Sequence, residues 1–244
     1  NKNLVFSIYQ NNIYIADNHL NRITIYDNKG TFLDQWGSEG LSHGQLDKPA
    51  GLVFDNDDNL YIVDSANNRI QIFTKEGQFL DTWGSQGTGE GQFNLPWGIT
   101  IDNNNDVWVA DWRNHRIQKF TANGTFLASF GTFGNGMGQF NRPSDVAVDR
   151  DRDFYVTDWA NNRVQVFTPE GRYITTFTGD ATLSKWGKVI LESSPDMVRQ
   201  RATVRDFEIE RRFWNPVSVA VDDEQHIIIV DCNRHRLQIY QKTS

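Results

Sequence analysis

A repeat of 47 residues constrains this sequence more than any other feature. An aspartate recurs at this spacing in the first four units, and a glycine and an aromatic residue recur with it. A fifth unit follows only after an insertion of about 26 residues. Such a period is typical of chains that build one structural unit several times. The aspartates are Asp17, Asp64, Asp111, Asp158 and Asp231.

Each unit is predicted to form four short antiparallel strands. In the second unit, four strand-like runs are separated by turn-forming Asp, Asn, Ser and Gly residues. A lone four-stranded sheet cannot bury both faces, whereas radially arranged sheets cover one another. The pattern therefore predicts an all-β fold, a β-propeller of four-stranded blades that forms a single domain over residues 1–244. The runs are residues 52–54, 60–63, 70–73 and 78–83.

The insertion is predicted to be helical and to span residues 180–212. Asp180 is a candidate helix cap, and Ser194 followed by Pro195 is typical of a second helix start. Basic and acidic residues nearly balance here, so we expect a solvated amphipathic hairpin rather than a basic binding element. The apolar stripe of the first helix would comprise Leu183, Trp186, Val189 and Ile190.

Composition narrows the choice of partners. A net charge of −7 and a pI near 5.2 argue against a surface dominated by phosphate contacts, so nucleic acid is not an expected partner. No apolar run approaches the roughly 20 residues that a membrane span needs. The single cysteine, Cys232, is expected to be a buried small apolar residue. None of these features determines the localisation.

The repeated unit resembles the NHL repeat. It reads Pro-x-Gly or Asp, an apolar strand ending in Asp, and then Val-x-Asp followed by Asn or His, Arg, Ile or Val, and Gln. The resemblance covers nearly the whole chain outside the insertion, and it implies a propeller that most often has six blades. One clear copy comprises Pro96, Gly98, Asp102, Val109, Asp111, His115, Arg116, Ile117 and Gln118. Another comprises Pro143, Asp145, Asp149, Val156, Asp158, Asn162, Arg163, Val164 and Gln165.

The number of copies departs from that family pattern. Only five copies of the motif are visible, and the fifth leaves no residues for a fourth strand. Either the ring closes unusually or a blade is missing. An incomplete ring would expose an edge strand, through which the protein could assemble with a partner.

A charged pair recurs in every copy. A group that is repeated in each blade meets a need that each blade has, so we interpret the pair as structural, a carboxylate and guanidinium that hold the loop after the second strand. The hairpins at 55–59 and 149–153 resemble calcium loops but lack the turn glycine and closing glutamate, so no metal site is predicted. The pairs are Asp17 with Arg22, Asp64 with Arg69, Asp111 with Arg116, Asp158 with Arg163 and Asp231 with Arg236.

Residues that differ between units are better candidates for a ligand site. In an up-and-down blade, the loop before the first strand and the loop between the second and third strands open on the same side. Trp and Arg at the rim of a concave face are enriched at binding hot spots. Alternatively, Trp112 and Trp159 pack between neighbouring blades. The candidate ligand-binding residues are Trp97, Trp112, Arg113, Arg142, Asp145, Trp159, Trp214 and Arg234.

The leading functional hypothesis is a non-catalytic scaffold that binds a peptide, a protein or a glycan. The NHL resemblance implies the same, because NHL domains elsewhere serve as recognition modules. We predict no catalytic residue and no cofactor. One alternative is a metal-dependent lyase or hydrolase with its site in the channel, which a resemblance to propeller lyases would imply through converging histidines. Another is an RNA-binding NHL module that uses Arg113, Arg142 and Arg234, although the acidic balance opposes it.

Overall fold

The computed structural model describes residues 4–182, 185–203 and 207–242. Its main strands form five antiparallel sheets whose strand order follows the chain. Residues of all five sheets line one central channel. The predicted all-β propeller is therefore confirmed, with five blades.

The strands of each blade follow one another in sequence. Blade 1 contains β1 (Leu4–Tyr9), β2 (Asn12–Asp17), β3 (Arg22–Asp27) and β4 (Phe32–Trp36). Blade 2 contains β5 (Pro49–Phe54), β6 (Asn59–Asp64), β7 (Arg69–Thr74) and β8 (Phe79–Trp83), and β9 (Ser85–Gln86) pairs with β10 (Gln92–Phe93) after it. Blade 3 contains β11 (Ile99–Ile101), β12 (Val107–Asp111), β13 (Arg116–Phe120) and β14 (Phe126–Phe130), and β15 (Thr132–Phe133) pairs with β16 (Gln139–Phe140) after it. Blade 4 contains β17 (Pro143–Val148), β18 (Phe154–Asp158), β19 (Arg163–Phe167) and β20 (Tyr173–Phe177). Blade 5 contains β21 (Pro216–Val221), β22 (His226–Asp231) and β23 (Arg236–Gln241).

Apolar clusters hold consecutive blades together. Four clusters join blades 1 and 2, 2 and 3, 3 and 4, and 4 and 5. Between blades 3 and 4, for example, the rings of Trp108 and Phe154 lie 5.0 Å apart and both are buried. Burying one such side chain fully contributes about 1.5–3 kcal/mol. The described residues form no fifth cluster between blade 5 and blade 1.

The repeated charged pair is formed in blades 2 to 5. The buried Asp64 carboxylate accepts hydrogen bonds from Arg69 Nε at 2.8 Å and from the backbone N–H of Asp47 at 2.7 Å. The other Arg69 nitrogens donate to three carbonyls of the loop that arrives from blade 1, residues 41–45. The pair therefore ties each blade to the loop that precedes it. Equivalent pairs join Asp111 to Arg116, Asp158 to Arg163 and Asp231 to Arg236.

Blade 1 departs from this pattern. Among the described residues, the Asp17 carboxylate accepts hydrogen bonds only from the backbone N–H groups of His19 and Leu20. Arg22 Nε is buried without a hydrogen-bond partner among the described residues. Within the described residues, the predicted pair of Asp17 with Arg22 is thus not formed, and no loop lies against Arg22 as residues 41–45 lie against Arg69.

The helical insertion is present as three short helices, α1 (Lys185–Glu192), α2 (Pro195–Ala202) and α3 (Glu208–Arg211). Helix α2 begins at Pro195 after Ser194, as predicted. Asp180 lies five residues before the first described residue of α1, Lys185, and its N–H donates to Gln238 Oε1 at 3.2 Å, which holds the chain against blade 5. The stripe residue Leu183 lies outside the described residues, and Val189 and Ile190 are exposed. No described helix is long and apolar enough to cross a membrane.

Candidate functional site

Short 3₁₀ turns after the second strands of blades 3, 4 and 5 shape one face of the propeller. The turns are Trp112–Asn114, Trp159–Asn161 and Cys232–Arg234. Each is followed by a residue in the left-handed conformation, His115, Asn162 or His235. This geometry sends the chain back into the third strand and leaves the first turn residue of each blade beside the channel mouth.

Three tryptophans form a row on this face. The Trp112 ring lies 6.0 Å from the Trp97 ring and 6.3 Å from the Trp159 ring, and all three are only partly buried. They surround a recess of about 130 Å³. Sequence analysis did not select four further lining residues, although Cys232 and Asn233 follow Asp231 at the positions where Trp112 and Arg113 follow Asp111. The four are Ser144, Val217, Cys232 and Asn233.

Cys232 is partly exposed in this recess. The prediction that it is a buried apolar residue is therefore wrong. Cys232 is the first residue of its 3₁₀ turn, a position at which Trp112 and Trp159 are also only partly buried and line the same recess.

Two arginines stand over the tryptophan row. The guanidinium carbon of Arg142 lies 5.0 Å from the Trp112 ring centroid, and that of Arg113 lies 5.7 Å from it. Both arginines are exposed, and neither forms an ion pair with a carboxylate in the described part of the chain. Cation–π contact orients their charges while leaving their N–H donors available.

A wider cleft of about 550 Å³ adjoins the row and contains both arginines. Within it, His115 Nδ1 accepts the backbone N–H of Arg142 at 3.1 Å. Burial, and then the charge of Arg142, lower the pKa of His115, so this imidazole is neutral near pH 7 and serves as an acceptor. The cleft therefore presents two cations and no competing carboxylate. Its lining residues are Asn94, Arg113, His115, Phe133, Asn141, Arg142 and Ala160.

Trp214 and Arg234 form a second aromatic and cation pair, 5.2 Å apart, at the rim of blade 5. The half-exposed Trp214 makes no ring contact with the tryptophan row in the described structure. Arg234 Nη2 donates to the carbonyl of Ile209 in α3 at 2.6 Å, so part of its donor capacity is already used. These two residues form a separate patch beside the insertion.

Asp145 lies in the channel wall rather than at the rim. Its Oδ2 accepts the Ser218 hydroxyl at 2.6 Å and the backbone N–H of Val219 at 3.2 Å, which links blade 4 to blade 5. Desolvation raises the pKa of Asp145 to about 6. A side chain held in this way stabilises the junction between two blades.

The opposite face carries the acidic hairpins between first and second strands. Lys242 Nζ lies 2.6, 2.8 and 2.9 Å from carboxylate oxygens of Asp149, Asp151 and Asp153. An ammonium group thus stands where a calcium loop would hold its ion. In the described residues, no group of three or more His, Cys, Asp or Glu side chains is arranged to hold a metal ion.

The fold and this face define a five-bladed propeller with an aromatic and arginine patch at the channel mouth. The family model of the NHL repeat matches residues 46–73, 93–120, 140–167 and 213–240. The matches fall on the motif of blades 2 to 5. The chain belongs to the NHL-repeat family.

Solved structures with this fold have diverse activities. Virginiamycin B lyase from Staphylococcus aureus aligns with a TM-score of 0.62 and 15% identity, over 100% of this chain and 71% of that chain. A streptogramin B lyase aligns with a TM-score of 0.61 and 16% identity, over 100% and 69%. A chain of the nidogen/laminin complex aligns with a TM-score of 0.58 and 14% identity, over 99% and 80%. These identities show a shared fold alone. No curated protein matches this sequence.

Proposed function

We propose that the tryptophan and arginine face binds a peptide or protein segment in which a carboxylate stands next to an apolar side chain. The observation that carries this proposal is the position of Arg142 and Arg113 over Trp112 without carboxylate partners. A carboxylate of the ligand would pair with the guanidinium groups, and its apolar side chain would enter the recess between the rings.

The charge distribution of the protein supports an acidic ligand. The hairpins on the opposite side of the blades hold much of the negative charge, whereas the cleft beside Trp112 contains two unpaired cations. An anionic segment would therefore be directed to the arginine face and away from the other. The acidic hairpins are residues 55–59, 102–106, 149–153 and 222–226.

A fold neighbour in a complex between two proteins, nidogen and laminin, is in keeping with a recognition role. A glycan could also stack on the tryptophan row, but a neutral glycan would leave Arg113 and Arg142 without a function. Comparing acidic and neutral ligands therefore separates these two classes.

A channel enzyme is the second candidate, and one observation favours it. Asp145 lines the channel with a pKa near 6, a value suited to proton transfer near neutral pH. The virginiamycin B lyase and the streptogramin B lyase share the fold. A reaction in the channel would be abolished by Asp145→Asn and would survive Trp112→Ala.

The experiment is a fluorescence-anisotropy titration with a labelled peptide that contains Asp or Glu beside Phe or Leu. A peptide with Asn or Gln in place of the acids and a neutral oligosaccharide serve as competing probes. We expect the acidic peptide to bind, and Trp112→Ala and Arg142→Gln each to weaken binding at least about tenfold, the loss of one good contact. Leu127→Ser, an exposed site on β14, is the matched control and should bind normally. Equal binding of the acidic and neutral probes would overturn the proposal.

A further inference from the structure

The tryptophan recess adjoins a second cavity that lies deeper in the central channel. Trp97, Ser144 and Val217 line both the recess and this deeper cavity, which also has a volume of about 130 Å³. Among the described residues that line the deeper cavity, Asp145 is the only charged one. A ligand group that passes between the tryptophans is therefore directed towards the Asp145 carboxylate.

The carboxylate at this position is specific to blade 4. In blades 2 to 5 the first strand begins with a proline, and the residue two positions later faces the channel. A β-carbon at Gly98 would overlap Asp145 Oδ1, so the glycine of blade 3 leaves the space that this oxygen occupies. A carboxylate that is present in one blade alone does not serve a need of the repeat. The four residues are Gly51, Gly98, Asp145 and Ser218.

Asp145 has hydrogen-bond donors around it but no cation. Its Oδ1 accepts the N–H of Val146 at 3.0 Å, and its Oδ2 accepts the Ser218 hydroxyl and the N–H of Val219. No Lys, Arg or His pairs with it in the described part of the chain, whereas the repeat aspartates of blades 2 to 5 each pair with an arginine. A cation from outside would offset the desolvation of this carboxylate.

Contacts on both sides fix the position of Asp145. Gly98 of blade 3 lies on one side of it and Ser218 of blade 5 on the other. Apolar clusters hold blade 4 to each of these two blades. The carboxylate is therefore held in place by closed junctions, away from the exposed third strand of blade 5.

The entrance and the carboxylate together select a compact cation on an apolar stem. The rings of Trp97, Trp112 and Trp159 offer apolar surface to methylene groups and attract cations. Oδ2 of Asp145 already accepts two donors, so the carboxylate cannot take the two parallel hydrogen bonds that a guanidinium group prefers. A primary ammonium needs only the free lone pair of Oδ1.

We propose that the ligand side chain in the tryptophan recess ends in a primary ammonium, as lysine does, and that this ammonium pairs with Asp145 in the channel. The inference rests on the proposed function, because it identifies the side chain that stands next to the ligand carboxylate. That carboxylate neutralises Arg113 and Arg142 at the mouth, so the ammonium enters beneath them without net repulsion. The methylene stem is then the apolar group between the rings.

Fluorescence anisotropy with three labelled peptides tests the ammonium. The peptides differ only at the residue beside the acid, which is lysine, norleucine or Nε-acetyl-lysine. Norleucine keeps the stem without the ammonium, and acetyl-lysine keeps the length without the charge. We expect the lysine peptide to bind at least about tenfold more tightly than either, the gain of one charge-assisted hydrogen bond. Equal binding of all three would overturn this inference and leave the acidic-ligand proposal intact.

Two variants locate the ammonium. Asp145→Asn keeps the shape of the side chain and should remove the preference for lysine over norleucine. Asp81→Asn, at an exposed carboxylate on β8, is the matched control and should retain the preference. Arg142→Gln should weaken all three peptides alike, because it acts on the ligand carboxylate. Thermal melts establish that each variant is folded, and a preference that persists in Asp145→Asn would overturn the inference.

An amine without a carboxylate separates the channel site from the arginine face. Cys232 is the only cysteine and lines the recess, so its rate of alkylation by N-ethylmaleimide reports occupancy in the unaltered chain. We expect saturating n-pentylamine to slow the alkylation at least about tenfold and n-pentanol to leave it unchanged. Protection by pentylamine, combined with peptides that bind regardless of their acids, would support the channel site and overturn the proposed function. Absence of both protection and lysine-peptide binding would overturn the channel site.

Discussion

The junction between blades 4 and 5 and the opening between blades 5 and 1 use the same repeat positions with opposite results. At the junction, Val164 and Val166 are buried against Val219 and Ile229. At the opening, Leu237 and Ile239 occupy the positions of Val164 and Val166 and face solvent. An apolar residue in a strand is thus buried only when a neighbouring sheet covers it.

The charged pairs show the same contrast. Arg236 donates to the carbonyls of Glu210, Arg211 and Arg212, so the end of the insertion replaces the glycine-rich loop used by other blades. Arg22 Nε has no acceptor in the described part of the chain. What the pair needs from its surroundings is a set of backbone carbonyls, and different sequences can provide them.

The largest expected effect on stability distinguishes Arg69, which pairs with a buried carboxylate, from Arg22, which does not. Arg69→Ala should lower the free energy of unfolding by about 3–5 kcal/mol, because it leaves the buried Asp64 carboxylate without its cation. Arg22→Ala, at the open border, should lower it by less than about 1 kcal/mol, because in the described structure Arg22 forms no ion pair whose carboxylate would be left buried and unpaired. Urea denaturation measures both. Equal losses would mean that the Arg22 environment is as complete as that of Arg69.

The next largest effect on stability compares two isoleucines at equivalent repeat positions, Ile72 and Ile239. Ile72→Ala, in a closed junction, should cost about 2–4 kcal/mol because it leaves a cavity. Ile239→Ala should cost less than about 1 kcal/mol, since that side chain is already largely hydrated. Equal costs at the two positions would mean that Ile239 is covered as Ile72 is.

The third effect concerns pH at the closed junction. Burial raises the pKa of Asp145 to about 6, so the folded state holds this proton more tightly than the unfolded state. The resulting stabilisation is complete below about pH 4 and is lost as the pH rises through 6. Relative to Asp145→Asn, the original chain should therefore lose on the order of 2 kcal/mol between pH 4 and pH 7.5. Denaturation curves of both proteins at each pH measure this difference, and parallel pH profiles would contradict it.

The smallest effect involves Lys242, which joins the end of β23 to the acidic hairpin of blade 4. Lys242→Ala should cost about 1 kcal/mol at pH 7 and low salt. The Lys242 hydrogen bond lowers the pKa of Asp151, so this pairing is present above the usual carboxyl pKa and weakens as the pH falls through it. The cost should shrink below pH 3 and in high salt. Lys29→Ala, at an exposed lysine without an ion pair in the described structure, should change stability little under any of these conditions.

Strand positions were predictable because alternation and turn residues act locally. The predicted run at 60–63 corresponds to β6 (Asn59–Asp64), and the run at 70–73 to β7 (Arg69–Thr74). The position of Asp180 was not predictable, since a contact with Gln238, far away in sequence, holds it against blade 5.

Part of the candidate site also followed from topology. The proximity of Trp97, Trp112 and Trp159 was predictable, because alternate loops of an up-and-down blade share one side. The position of Asp145 in the channel wall and the partial exposure of Cys232 were not predictable from the sequence. Both depend on how closely neighbouring blades approach, and that distance is absent from any single repeat.

By itself, the sequence determined the repeat, the strands and the pairing of each blade with the next, because these depend on spacing and alternation within about 50 residues. Only the tertiary structure decided which apolar side chains are exposed to solvent and which arginine lacks a hydrogen-bond partner in the described structure. Those properties belong to the junctions between sheets, and the same residues are buried or exposed according to whether a neighbouring sheet is present.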